Sequence, residues 1–171
     1  FPTGIFDALL GKGYQKIVLK IKNKKILLVN THLQTIVRDN IFSKFQHEQE
    51  HIQYKQIRQI IQDIKKSKLK TIICGDLNAL PNSKTYKKLK DYGFKSVFNK
   101  YPVTRSPKNI YWKSTGYHKS KELRNGYCID YILTNIKNFN AKSEVIKGEF
   151  KHKDHKLNFS DHYGIKSNLE F

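Results

Sequence analysis

Residues 15 to 31 read QKIVLKIKNKKILLVNT, two runs rich in Ile, Val and Leu on either side of a polar break at Asn23. That pattern predicts two strands around a turn, leading into NTHLQ. From about Gln46 to Lys66, Tyr54, Ile57, Ile61 and Ile64 recur at three- and four-residue spacing, with Ile60 broadening the stripe. This is an amphipathic helix whose other face is Gln, Glu and Lys. KTIICGDLN is a short apolar run ending in a polar cluster, so it predicts a buried strand with functional groups at its C-terminal end. SKTYKKLKDYG predicts a second helix, with Ser83 as its N-cap and Gly93 just past its end. Residues 99 to 126 read as irregular, punctuated by Pro102, Pro107, Gly116 and Gly126. YCIDYILTN is another strand, and HYGIKSNLEF, after NFSD, an edge strand. Strands and helices are interleaved by unequal connections, which fits a mixed α/β class better than a regular doubly wound sheet. The chain has no repeats and no internal linker, so a single domain over residues 1 to 171 is expected.

Charge narrows the picture. Thirty-three Lys and Arg face fourteen Asp and Glu, a formal net charge of +19. Such an excess favours a polyanionic partner, either nucleic acid or an anionic membrane surface. It also fits a general bias towards Lys, Ile and Asn, because the basic residues are spread along the chain. Cys74 and Cys128 each lie in an apolar run and read as reduced thiols, not as a secreted disulfide framework, which leans towards an intracellular setting without fixing the compartment. No stretch is long and apolar enough for a transmembrane segment. Met is absent throughout, including from the first position, so a fragment or processed product is expected. Nothing in the sequence bears on oligomeric state.

Four polar clusters sit where apolar runs begin or end: Asn30-Thr31-His32-Leu33, Gly75-Asp76-Leu77-Asn78, Ile129-Asp130-Tyr131 and Ser160-Asp161-His162. Each alone is weak, since Asp-x-Asn is a common turn and a lone His beside a strand is commonly structural. Together they offer two His, three Asp and two Asn from strand ends, where a rigid scaffold holds reactive groups. That set suffices for metal-assisted hydrolysis: carboxylates suit a hard divalent cation such as Mg²⁺, His and Asp can orient and deprotonate water, and His and Asn can donate to phosphoryl oxygens.

In order, NTHLQ, GDLNALPNS, IDYILTN and SDHYGI resemble the endonuclease/exonuclease/phosphatase superfamily, with the resemblance running from about residue 5 to the C-terminus. FDALLGKGYQKIVLKI, and YKQIRQIIQDI with Arg58, are similar to its neutral sphingomyelinase branch. The resemblance implies part of a four-layered α/β sandwich, two packed mixed sheets flanked by helices. It also implies a phosphodiester substrate, a phospholipid headgroup in preference to a nucleic acid. His162 is implied as the general base and Asp130 as the carboxylate that orients it. Asp161 is implied as a metal ligand, Asp76 and Asn78 as the pair positioning water and phosphate, and His32 as a donor to a phosphate oxygen. The family's usual opening strands, which carry a metal-binding Glu, have no counterpart before Phe1. The expectation is therefore an N-terminally truncated domain, either completed by another segment or impaired in metal binding.

Three readings follow: two enzymes, a Mg²⁺-dependent phospholipid phosphodiesterase and an endonuclease, and, from another class, an inactive binding module. In the irregular segment, Tyr111 and Trp112 among Lys and Arg could bind substrate, by stacking a base or a choline headgroup, or could simply cover the sheet. His47-Glu48-Gln49-Glu50-His51 fits the H-E-x-x-H zinc pattern. Its polar flanks, Gln46, Gln53, Lys55 and Gln56, instead point to a solvated helix start on the rim of the proposed site.

Overall fold

The computed structural model describes residues 12–36, 43–106, 125–153 and 155–171. Its centre is a five-stranded mixed sheet. β1 (Tyr14–Ile21) and β2 (Lys24–Thr31) form an antiparallel hairpin, closed at Lys22 in left-handed conformation (φ 52°) and Asn23. α1 (Ser43–Ser67) then carries the chain back to β3 (Lys70–Asp76), which pairs parallel with β2. A crossover of this length is what a parallel pair needs. α2 (Lys84–Asp91) and the two-residue β4 (Lys95–Ser96) follow, and β5 (Asp130–Thr134) inserts antiparallel between β3 and β4. The strand order is β1-β2-β3-β5-β4.

One face of this sheet is apolar and covered by both helices. Leu27 and Val29 of β2, Ile73 of β3, and Tyr131 and Leu133 of β5 meet Ile57, Ile60, Ile61 and Ile64 of α1 and Tyr86 and Leu89 of α2. The three- and four-residue spacing of α1 thus becomes the seam it predicts. Ser83 caps α2, its hydroxyl accepting from the Tyr86 N–H, and Gly93 follows the helix with φ 88°. This is the local chemistry that starts and stops so short a helix.

The sequence pattern did not reveal the strands of residues 140 to 158. β6 (Asn140–Ile146) pairs antiparallel with β9 (Gly164–Glu170), and β7 (Glu149–His152) with β8 (His155–Asn158) as a small hairpin between them. β9 lies against β5, Ser143 of β6 donates to the Val97 carbonyl, and Lys24 reaches the Phe171 carbonyl. The second sheet therefore sits against the first, and the mixed α/β layering expected from the sequence is present. HYGIKSNLEF is an edge strand, as expected, but of this second sheet. Both cysteines are free, and burial raises both thiols, Cys128 to about 12, so neither is set up as a nucleophile. Among the described residues, no helix is long and apolar enough to cross a membrane.

Candidate active site

β2 and β3 are parallel, so their C-terminal ends share one edge of the sheet. β5 is antiparallel to β3 and starts at that edge. Asp76, the last residue of β3, is paired directly with Asp130, the first of β5. Opposed residues project from the same face of a ladder, so the two carboxylates emerge together. They leave on the side opposite the buried Tyr131, away from the helices.

Backbone hydrogen bonds tie the turns at this edge to one another. Leu33 N–H donates to the Asp76 carbonyl and Leu77 N–H to the Ile129 carbonyl. Asp76 closes an Asx turn, its Oδ1 accepting from Asn78 N–H at 2.7 Å, and Asn78 takes the left-handed conformation (φ 48°). Gly75 explains the tight packing. Its φ is +128°, and a Cβ there would lie 2.0 Å from the Thr31 carbonyl oxygen, so only glycine lets β3 pass the end of β2.

His162 arrives from the turn before β9. Its Nδ1 faces Asp130, 3.0 Å from Oδ2 and 3.2 Å from Oδ1. The same nitrogen is 4.0 Å from Asp76 Oδ2, and Nε2 is 3.8 Å from Asp161 Oδ2. His32 comes from the end of β2, its Nε2 3.4 Å from Asp76 Oδ2. Five of the predicted residues, His32, Asp76, Asp130, Asp161 and His162, thus meet in one place from across the sequence. The sixth, Asn78, is buried beside them and donates its amide to the Leu33 carbonyl at 3.1 Å, tying the loop of Asp76 to that of His32. Tyr111 and Trp112 lie outside the described residues.

The electrostatics follow from two carboxylates in a half-buried edge. Burial first, then the charge of Asp130, push the Asp76 carboxyl up to about 6, against the Asn78 N–H, His162 and Lys12. For His162, burial alone would lower the imidazole pKa. The Asp130 hydrogen bond and the charges of Asp130, Asp76 and Asp161 outweigh it, and the net shift is upward. Asp76, Asp130 and His162 each offer a ligand atom within 4.8 Å of the others, the one such group of three among the described residues. Burial first, and then the Asp130 charge, disfavour the Asp76 carboxylate; a bound cation would offset both, so the donor set fits a hard divalent cation. Asp161 is outside this trio and half exposed at its edge.

The H-E-x-x-H stretch takes no part in it. His47, Glu50, His51 and Tyr54 line a cleft of about 460 Å³ with Lys84, Lys87, Lys88 and Asp91 of α2, and they form no ligand group. Gln53 corrects the sequence reading outright. Taken there as part of a solvated flank, it is 1% exposed, and its amide nitrogen donates to the carbonyls of Gln34, Leu77 and Asn78 at 3.0 to 3.1 Å. Its place four residues before Ile57, on the apolar stripe, is the signal that would have found it. Thr104, also missed, accepts from the N–H groups of Ile129 and Asp130.

The model of the endonuclease/exonuclease/phosphatase family matches residues 31 to 162, from the end of β2 to His162. The chain belongs to this family. Solved structures of the same fold include a beta toxin from Staphylococcus aureus (TM-score 0.69, 22% identity, 92% of this chain and 57% of the toxin). A variant of that toxin carries bound magnesium ions. Others are sphingomyelinase C from Streptomyces griseocarneus (0.61, 18%, 91% and 57%) and a mannosyl-6-phosphatase from Bacteroides thetaiotaomicron (0.64, 17%, 92% and 56%). The chain therefore spans a little over half the length of these family folds. No curated protein sequence matches it. Membership gives the coarse chemistry, a phosphoesterase-type hydrolase fold.

Proposed function

We propose that the chain is the catalytic part of a phosphodiesterase that works at a lipid surface and uses a hard divalent cation, with Mg²⁺ the first candidate. The observation that carries the reading is the Asp130–His162 pair at 3.0 Å beside Asp76. In its catalytic form Asp130 accepts from His162 Nδ1–H, which leaves Nε2 free to take a proton from an attacking water. His32 stands across Asp76, placed to donate from Nε2 to a phosphoryl oxygen. Asp76 and Asp130 would hold the cation, with Asp161 at its margin. When bound, the cation neutralises phosphate charge and lowers the pKa of water.

The β7–β8 hairpin favours lipid over nucleic acid. Phe150 and Phe159 stack at 4.9 Å and 17°, with Phe159 71% exposed, and Ile146, the last residue of β6, is exposed as well. The exposed Lys147, Lys151 and Lys153 share this region. Exposed aromatic rings among lysines suit insertion at the boundary of an anionic bilayer, where rings enter the interface and ammonium groups meet headgroups. A DNA or RNA endonuclease is the second reading, favoured by the +19 charge.

Sphingomyelin vesicles containing an anionic lipid, and separately a supercoiled plasmid, distinguish the two when each is incubated with the chain, with and without Mg²⁺. The expected result is Mg²⁺-dependent release of the headgroup, an intact plasmid, and no activity in His162→Ala. Nicking with intact lipid would replace the lipid reading with the nuclease one. Activity retained by His162→Ala would overturn the site itself.

A further inference from the structure

Thr104 lies outside all four motif clusters, in the segment between β4 and β5, yet it is fully buried and converges on both halves of the Asp130–His162 pair. Its Oγ1 accepts from Ile129 N–H at 3.1 Å and from Asp130 N–H at 3.2 Å. Its carbonyl accepts from Tyr163 N–H at 2.7 Å, one residue beyond His162. Its own N–H donates to the Tyr127 carbonyl at 3.0 Å. One residue therefore anchors the backbone at Asp130 through its side chain and the backbone beside His162 through its main chain. We propose that Thr104 is a positioning residue, which sets the separation of Asp130 and His162 and so holds the imidazole in the tautomer that leaves Nε2 free.

The inference rests on the proposed role of the pair, but its geometry does not depend on the substrate. The Asp130 carboxylate reaches Nδ1 from a strand that begins at Asp130 itself. The strand's first residue is where a ladder frays, and the hydroxyl of Thr104 supplies the acceptor that holds it. The same residue's carbonyl fixes the turn bearing His162. Removing the hydroxyl leaves two N–H groups without their acceptor, the buried one of Ile129 and the part-buried one of Asp130. The carboxylate and imidazole then lose a common reference. Catalytic groups displaced by about 1 Å lose on the order of 100-fold in rate.

The test compares Thr104→Val, which keeps the shape and removes the hydroxyl, with Thr104→Ser, which keeps the hydroxyl. Thr134→Val serves as the control. Thr134 is a buried threonine at the far end of β5, whose hydroxyl donates to the Thr71 carbonyl and accepts from Ile136 N–H. Two readouts are taken on the intact chain: kcat and KM on a phosphodiester, and the NMR resonance of the hydrogen-bonded His162 Nδ1–H. Thr104→Val should lower kcat by about 100-fold with KM within about 2-fold, and should broaden away the Nδ1–H resonance. Thr104→Ser should restore both, and Thr134→Val should change neither. If Thr104→Val keeps the resonance and wild-type kcat, or if Thr134→Val loses them equally, Thr104 is only a structural threonine and the proposal is wrong. Should the wild type hydrolyse no phosphodiester, the functional reading fails, and the resonance alone still decides the role of Thr104.

Discussion

Asp76→Asn separates the needs of chemistry from those of folding. In the native chain the Asp76 carboxyl titrates at about 6 in place of 3.8, raised by burial and by the charge of Asp130. A shift of about two pH units corresponds to about 3 kcal/mol of native-state cost when the group is ionised. The sign follows from proton binding. Between about pH 4 and pH 6 the native state holds a proton that the unfolded chain has released, so stability falls as pH rises through this window and stays lower above it. Asn removes the charge and keeps an oxygen for the Asn78 N–H. Relaxation of the half-buried edge trims the gain, so Asp76→Asn should be more stable than wild type by about 1 to 2 kcal/mol at pH 7.5 and nearly equal to it at pH 4. In thermal melts with EDTA, that is a rise of about 4 °C at pH 7.5. Activity should be lost. A stability difference between the two proteins that does not change from pH 4 to pH 7.5 would refute the claim that burial and the Asp130 charge together raise the Asp76 carboxyl.

Two further substitutions probe the scaffold. Gly75→Ala should destabilise by more than about 3 kcal/mol in urea titration, since the added Cβ meets the Thr31 carbonyl oxygen at 2.0 Å in a backbone conformation that side chains rarely adopt; a loss under about 1 kcal/mol would mean that β2 and β3 can separate freely. Gln53→Leu keeps a buried side chain of similar size and strips three carbonyls of their donor. It should cost about 2 kcal/mol, and a variant as stable as wild type would show that the loops of His32 and Asp76 hold without it.

Local pattern carried far in this chain. The spacing of Ile57, Ile61 and Ile64 gave α1, Ser83 and Gly93 bracketed α2, and the apolar runs ending in His32 and Asp76 became the parallel pair. The site was legible where a polar cluster met the end of a strand. Residues 140 to 158 were not legible, because β6 to β8 are short and rich in Lys, Glu and Asn, with few apolar residues to mark a buried face. Gln53 and Thr104 were missed for a different reason. Gln53 sits on the α1 stripe four residues before Ile57, but its polar side chain hides it there, and Thr104 lies in an irregular segment with no period; what makes each important is a set of carbonyls and N–H groups distant in sequence.

The Asp76–Asp130 pairing also has a consequence for quality control. Strand side chains alternate faces, so a slip of β5 by one residue against β3 would turn Asp130 towards the helices and bring Ile129 or Tyr131 opposite Asp76. The far end of the same ladder is fastened by Thr71 and Asn135: the Thr71 N–H donates to Asn135 Oδ1 and the Asn135 N–H donates back to the Thr71 carbonyl. A misaligned chain could therefore be compact and well paired and still bring no carboxylate to His162. The centre audits its own sheet: turnover per molecule counts the fraction of chains that folded in the right alignment, a quantity that circular dichroism or gel filtration would pass over.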